Sequence, residues 1–166
     1  MKKIQQSIKL VIVSTTINGE KGYLDYDKLA VKSKFDEVVF VIAGDTTSKP
    51  FHTKKFKCAV EYLEPKDQER FAISSLIGWK SQRRRNTAFL RALELDPDFI
   101  LTIDDDNAPR KDYFDVWYRV LTNPVSKIVA VTKKLEPAVW HNYLRTGVGP
   151  AIELYPRGFP GPFLWQ

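Results

Sequence analysis

The sequence predicts an α/β domain, a three-layer sandwich around a central, mostly parallel sheet. Three observations carry that prediction. β-Branched apolar runs alternate with stretches of helical rhythm, the order expected of strand–helix units. One run, DFILTI at residues 98–103, is apolar on both faces, as strands covered from two sides are. Polar residues gather where the runs end, at Thr15 and Thr16, at Asp45, and at Asp104, Asp105 and Asp106. In open α/β sheets that edge is where ligands bind.

Along the chain, IKLVIVSTT (8–16) reads as a buried strand ending in small hydroxyl residues. LDYDKLAVKSKF follows with a helical rhythm at Leu24, Lys28, Leu29 and Val31. EVVFVIAGD (37–45) is a second buried strand, and KCAVEYLE (57–64) a third, closed by Pro65. From Ser81, a fitting N-cap, a helix runs to Pro97 with Ala88, Phe89, Ala92 and Leu93 as its apolar stripe. The strand at 98–103 is expected in the centre of the sheet. Beyond Pro109 a second amphipathic helix turns Tyr113, Phe114, Trp117, Val120 and Leu121 inward, and KIVAVT (127–132) is a further strand. Residues 147–166 differ: they hold four of the eight glycines and four of the ten prolines, which excludes regular helix. Phe159, Phe163, Leu164 and Trp165 in that segment need cover, so it either wraps the domain as a loop or runs into more protein.

A chain of 166 residues is the size of one domain, and 43% apolar with 28% charged residues is ordinary for a soluble globular protein. The first apolar run is too short to cross a bilayer, and no stretch resembles a signal peptide. The lone Cys58 allows no internal disulfide, which suits a cytoplasmic setting. A net charge of +6 favours an anionic partner: nucleic acid, phosphate or membrane. Nucleic acid is not expected, because no zinc site, RNA-binding motif or long basic tail is present. Neither His52 nor His141 has a Cys or His at ligand spacing.

The stretch ILTIDDDNAP at 100–109 places three carboxylates at the mouth of a strand. Like charges so close need a cation or hydrogen-bond donors. On an extended backbone Asp104 and Asp106 share one side and Asp105 opposes them. Such a pair can hold a hard divalent cation, Mn²⁺ or Mg²⁺, that bridges to substrate phosphates; the alternative is a solvated acidic turn. An EF-hand starting at Asp104 would need Gly where Pro109 stands and Glu where Asp115 stands. In SQRRRNTAFLRAL, Arg83, Arg84 and Arg85 crowd the first turn of a helix, where the dipole already favours an anion. One or two are expected to meet phosphate; the alternative is a solvated basic run.

Together these residues resemble nucleotide-sugar glycosyltransferases with the GT-A fold. The D-x-D signature of that fold stands here as Asp104, Asp105 and Asp106, and an "ARN"-like helix start stands as Arg84, Arg85 and Asn86. IDDDNAP with YPRGFP (155–160) is similar, more narrowly, to the reversibly glycosylated polypeptides, which include UDP-arabinopyranose mutases, and to STELLO-like proteins. The resemblance implies a metal-dependent glycosyltransferase for a UDP-sugar and an unknown glycan or protein acceptor, or a self-glycosylating UDP-sugar mutase. It implies Asp106, with Asp104, as the metal-binding pair, Asp104 also facing the ribose or a metal-bound water, and Asp105 in support. Thr15, Thr16 and Asp45 become nucleotide contacts, and Arg84, Arg85 and Asn86 border the diphosphate. Arg157 becomes a contact to the sugar diphosphate or an acceptor. The mutase-like family carries a further arginine after this motif, near the place where this chain has Leu164. Readings of another class are a module that binds a nucleotide sugar without turnover, and a basic nucleic-acid-binding domain.

Overall fold

Four parallel strands form the sheet in the order β3-β2-β1-β4. They are β1 (Lys9–Thr15), β2 (Glu37–Ala43), β3 (Ala59–Leu63) and β4 (Phe99–Thr102), in a computed structural model that describes residues 7–122. These residues belong to one compact unit, Met1–Val125. The predicted strand at 127–132, the segment 147–166 and Arg157 lie outside the described residues.

The chain steps from β1 outward to β2 and β3, then crosses back to lay β4 on the other side of β1. β1 and β2 are therefore flanked on both sides, and their middle residues are buried throughout. The 98–103 run, expected at the centre of the sheet, forms β4, the outermost strand among the described residues, pairing β1 from Leu10↔Phe99 to Val13↔Thr102. That register continues past both ends of the ladder. The Asp98 carboxylate accepts the Lys9 N–H at 2.7 Å, and Ser14 Oγ donates to the Ile103 carbonyl at 2.8 Å.

Alternation along β1 divides the core. Leu10 and Ile12 face Tyr23, Tyr26, Phe35, Phe40, Leu101, Ile103 and Phe114, whereas Val11 and Val13 face Val39, Val41, Ala43, Leu63, Ala88 and Ala92. The first side is covered by α1 (Leu24–Ala30) and α5 (Tyr113–Thr122), the second by α4 (Arg85–Glu94). Bulky aromatics fill one layer, while Ala88 and Ala92 let α4 lie close on the small valines of the other. Each fully buried Val or Leu contributes about 1.5–3 kcal/mol, so the strands carry most of the apolar stabilisation.

Three helix faces differ from the expected ones. In α1, Tyr26, Asp27 and Ala30 are buried and Val31 is exposed. Asp27 points inward because its carboxylate accepts the backbone N–H groups of Lys57 and Cys58, at 2.8–3.1 Å. In α4, Leu93 is exposed. In α5, Val120 is exposed and Tyr118 packs on the core instead, edge-on to Phe35. Two short helices, α2 (Pro65–Gln68) and α3 (Ile73–Ile77), link β3 to α4; a capping box between Glu64 and Asp67 starts the first.

Candidate functional site

The carboxyl ends of β1 and β2 and the turn after β4 surround a cleft of about 410 Å³. Thr15, Thr16 and Asn18 line it from β1, Asp45 and Thr47 from β2, Asp105 from β4, and Lys80, Ser81 and Gln82 from the approach to α4. The sheet's connections reverse direction between β1 and β4, and an α/β sheet opens a crevice at such a switch point.

Thr15 Oγ1 donates to the Ala43 carbonyl at 2.9 Å, tying β1 to the end of β2. Thr16 Oγ1 donates to the Asp105 carboxylate and itself accepts the Asn18 N–H at 2.9 Å. Asn18 Nδ2 reaches the same Asp105 oxygen at 3.1 Å. The two strand-end loops meet so closely that a Cβ at Gly22 would stand 2.0 Å from the Asp105 carbonyl oxygen. Only glycine permits that approach. Beneath this contact Tyr23 is buried with its hydroxyl 3.0 Å from Ser14 Oγ, and burial raises its pKa.

The acidic triplet does not run extended. β4 ends at Thr102, and residues 105–106 form a turn. Asp104 forms an ion pair with Arg85 and borders a small cleft with Tyr26 and Tyr113. Asp105 turns to Thr16 and Asn18. Asp106 is exposed and borders a second opening of about 470 Å³ with Asn18, Lys21, Asp25 and Lys49. Asn18 and Asp105 are common to this opening and the first cleft. Burial raises the pKa of Tyr26, with Tyr113, Asp104 and Asp106 adding to the effect.

Asp45 is buried and bonded on both oxygens. Oδ1 accepts the Thr46 N–H at 2.6 Å and the Thr46 hydroxyl at 3.0 Å; Oδ2 accepts the Lys80 N–H at 2.7 Å and the Ser81 N–H at 3.4 Å. It lines the cleft as the clasp between two loops.

Arg84 departs from its expected place. It is fully buried and absent from the cleft wall. Its Nε donates to the Gly78 carbonyl at 2.8 Å, Nη1 to Ser74 Oγ at 2.7 Å and Gln68 Oε1 at 3.3 Å, and Nη2 to the Ser74 carbonyl at 2.8 Å. The guanidinium carbon lies 3.5 Å from the centre of the Trp79 ring. Gln68 extends the network, donating to the Gly44 and Leu63 carbonyls at 2.7 and 2.9 Å. Arg84 thus fastens the start of the helix to the ends of β2 and β3, and burial lowers its pKa. Arg83 and Asn86 are exposed and do not line the cleft.

Cleft residues that sequence reasoning did not single out include Ile17, Asn18, Thr47, Lys80 and Gln82. The Asn18-Gly19 pair after β1 is a turn signal in the sequence, whereas Lys80 and Gln82, just ahead of the arginine run, carry no local signal of a site. No family model matches the chain, and none of the curated proteins matches it.

Proposed function

We propose that the cleft binds a nucleotide-diphosphate sugar, a UDP-sugar by preference, together with Mn²⁺ or Mg²⁺, and that the protein transfers the sugar to a glycan or protein acceptor. The observation that carries this reading is the crevice at the β1–β4 switch point, with hydroxyl and amide groups on one wall and the acidic turn on the other. Its volume falls within the range of about 300–1,000 Å³ common to small-molecule sites.

The donor set suits a cation shared with a ligand better than a protein-only metal cage. Among the described residues no three His, Cys, Asp or Glu side chains cluster as a metal site. Mg²⁺ and Mn²⁺ are commonly held by one or two carboxylates plus substrate phosphates, which Asp106 and Asp104 can supply. When bound, the cation would stabilise negative charge on the departing diphosphate oxygen. Arg85 holds Asp104 and limits repulsion within the triplet. Thr16 and Asn18 fix Asp105, and so hold the turn that presents Asp106.

Calorimetric titration of UDP-sugars with and without Mn²⁺, followed by a radiolabelled transfer assay, tests the proposal. Metal-dependent binding with turnover supports it; absence of nucleotide binding overturns it. One observation favours the second reading, a module that binds without turnover: Asp104 and Asp105 are both engaged by neighbouring side chains. Tight binding without transfer would select that reading.

A further inference from the structure

Lys80 stands on the cleft wall with a backbone φ of +56°. Residues with a Cβ avoid that region, which glycine enters freely. Strain of this kind persists where the surroundings over-determine it, and it gathers at ligand sites. The surroundings here are specific. Buried Asp45 accepts the Lys80 N–H at 2.7 Å, and on the preceding side Arg84 holds the Gly78 carbonyl at 2.8 Å and the Trp79 ring. On the following side Ser81 caps the helical stretch, its Oγ accepting the Arg83 N–H at 3.2 Å. A glycine would satisfy this backbone with less strain, so what the lysine adds is its side chain.

The neighbouring cations are committed elsewhere. Arg84 is buried in its own network, Arg85 is paired with Asp104, and Arg83 lies outside the cleft; among the described residues Lys80 is the basic residue on its wall. We infer that Lys80 is the cation that meets the phosphate groups of the cleft's ligand, held in place by Asp45. The identity of that ligand as a nucleoside diphosphate rests on the function proposed above; the phosphate contact itself does not.

Wild type, Lys80→Met and Lys80→Gly are titrated calorimetrically with UDP, uridine and inorganic pyrophosphate in the presence of Mn²⁺. The methionine keeps the length of the side chain without its charge, and the glycine also releases the backbone. Both variants are expected to bind UDP and pyrophosphate about ten- to a hundredfold more weakly, the loss of one charge-assisted hydrogen bond. Uridine affinity is expected to stay unchanged. If both variants bind UDP and pyrophosphate as wild type does, Lys80 is not the phosphate contact, while the nucleotide reading survives. If wild type binds pyrophosphate but not UDP, the nucleotide reading fails; a loss of pyrophosphate binding in the variants then still upholds Lys80. If wild type binds neither, both fall. Should the methionine variant not fold, the glycine variant alone decides.

Discussion

Two charged triplets, Arg83–Arg84–Arg85 and Asp104–Asp105–Asp106, look alike in the sequence and are handled differently by the fold. In each, neighbouring residues part company. The middle arginine is drawn into the interior, where acceptors from Ser74, Gln68 and Gly78 take its donors. The middle aspartate stays near the surface but is tied to Thr16 and Asn18. The outer members join the two sets through the Arg85–Asp104 pair, and Arg83 and Asp106 are left exposed. A run of like charge is therefore not one functional unit: one residue is tied into neighbouring segments, one bridges, and one faces solvent.

The sharpest test of that division is Arg84→Met. It removes every donor from a closed network, and unsatisfied buried acceptors together with imperfect packing are expected to cost about 3–5 kcal/mol. Urea unfolding would measure this; a loss below about 1 kcal/mol would mean that Arg84 is not the anchor described. Gly22→Ala attacks the other triplet from behind. Forcing the loop off Asp105 should destabilise by about 1–3 kcal/mol and also weaken metal-dependent UDP binding. Destabilisation without a binding defect would detach the turn from the site.

Asp106→Asn should do the reverse. An exposed substitution is expected to change stability by less than about 0.5 kcal/mol while abolishing Mn²⁺-dependent UDP binding. Unchanged metal-dependent affinity would remove Asp106 from the proposed metal pair. The mildest test is acid titration. The Lys55 ammonium, aided by backbone N–H groups that include that of His52, holds the Glu20 carboxyl at a pKa of about 2, below its usual 4.5, against the opposing effect of burial. A depressed pKa contributes stability that is complete above the unfolded value and fades as pH falls through the folded one. The β1 loop should thus lose this support between about pH 4.5 and 2, and Glu20→Gln should flatten that part of the stability curve. An identical acid limb in the variant would show that Glu20 contributes nothing to it.

Much of the scaffold was legible because it depends on local pattern. β1 and β2 are continuous apolar runs, and Ser81 does cap the helical stretch that follows it. Less of the site was legible, because its geometry depends on partners far away in the chain. Nothing local distinguishes Arg84 from its neighbours; its acceptors come from residues 68, 74 and 78. The expectation that Asp104 and Asp106 share a side assumed an extended backbone; residues 105–106 form a turn instead, yet Asp105 alone reaches Thr16 and Asn18 while Asp104 and Asp106 both act on Tyr26. Leu93 and Val120 were placed inward by periodicity alone, whereas helix burial is decided by which neighbours actually pack, as Asp27 and Tyr118 demonstrate.

The constant offset between β1 and β4 has a consequence for the order of assembly. Ser14–Ile103 and Thr16–Asp105 each join residues 89 apart, the same spacing as the ladder itself. Closing a segment of that length costs on the order of 4 kcal/mol of chain entropy before any contact offsets it. A polypeptide emerging from the ribosome can form the first two strands early, yet has no cleft until the last of the four strands arrives. A molecule bound in the crevice as proposed would therefore need the β1–β4 pairing in place, and would act as a clamp on the pairing most distant in sequence among the described strands.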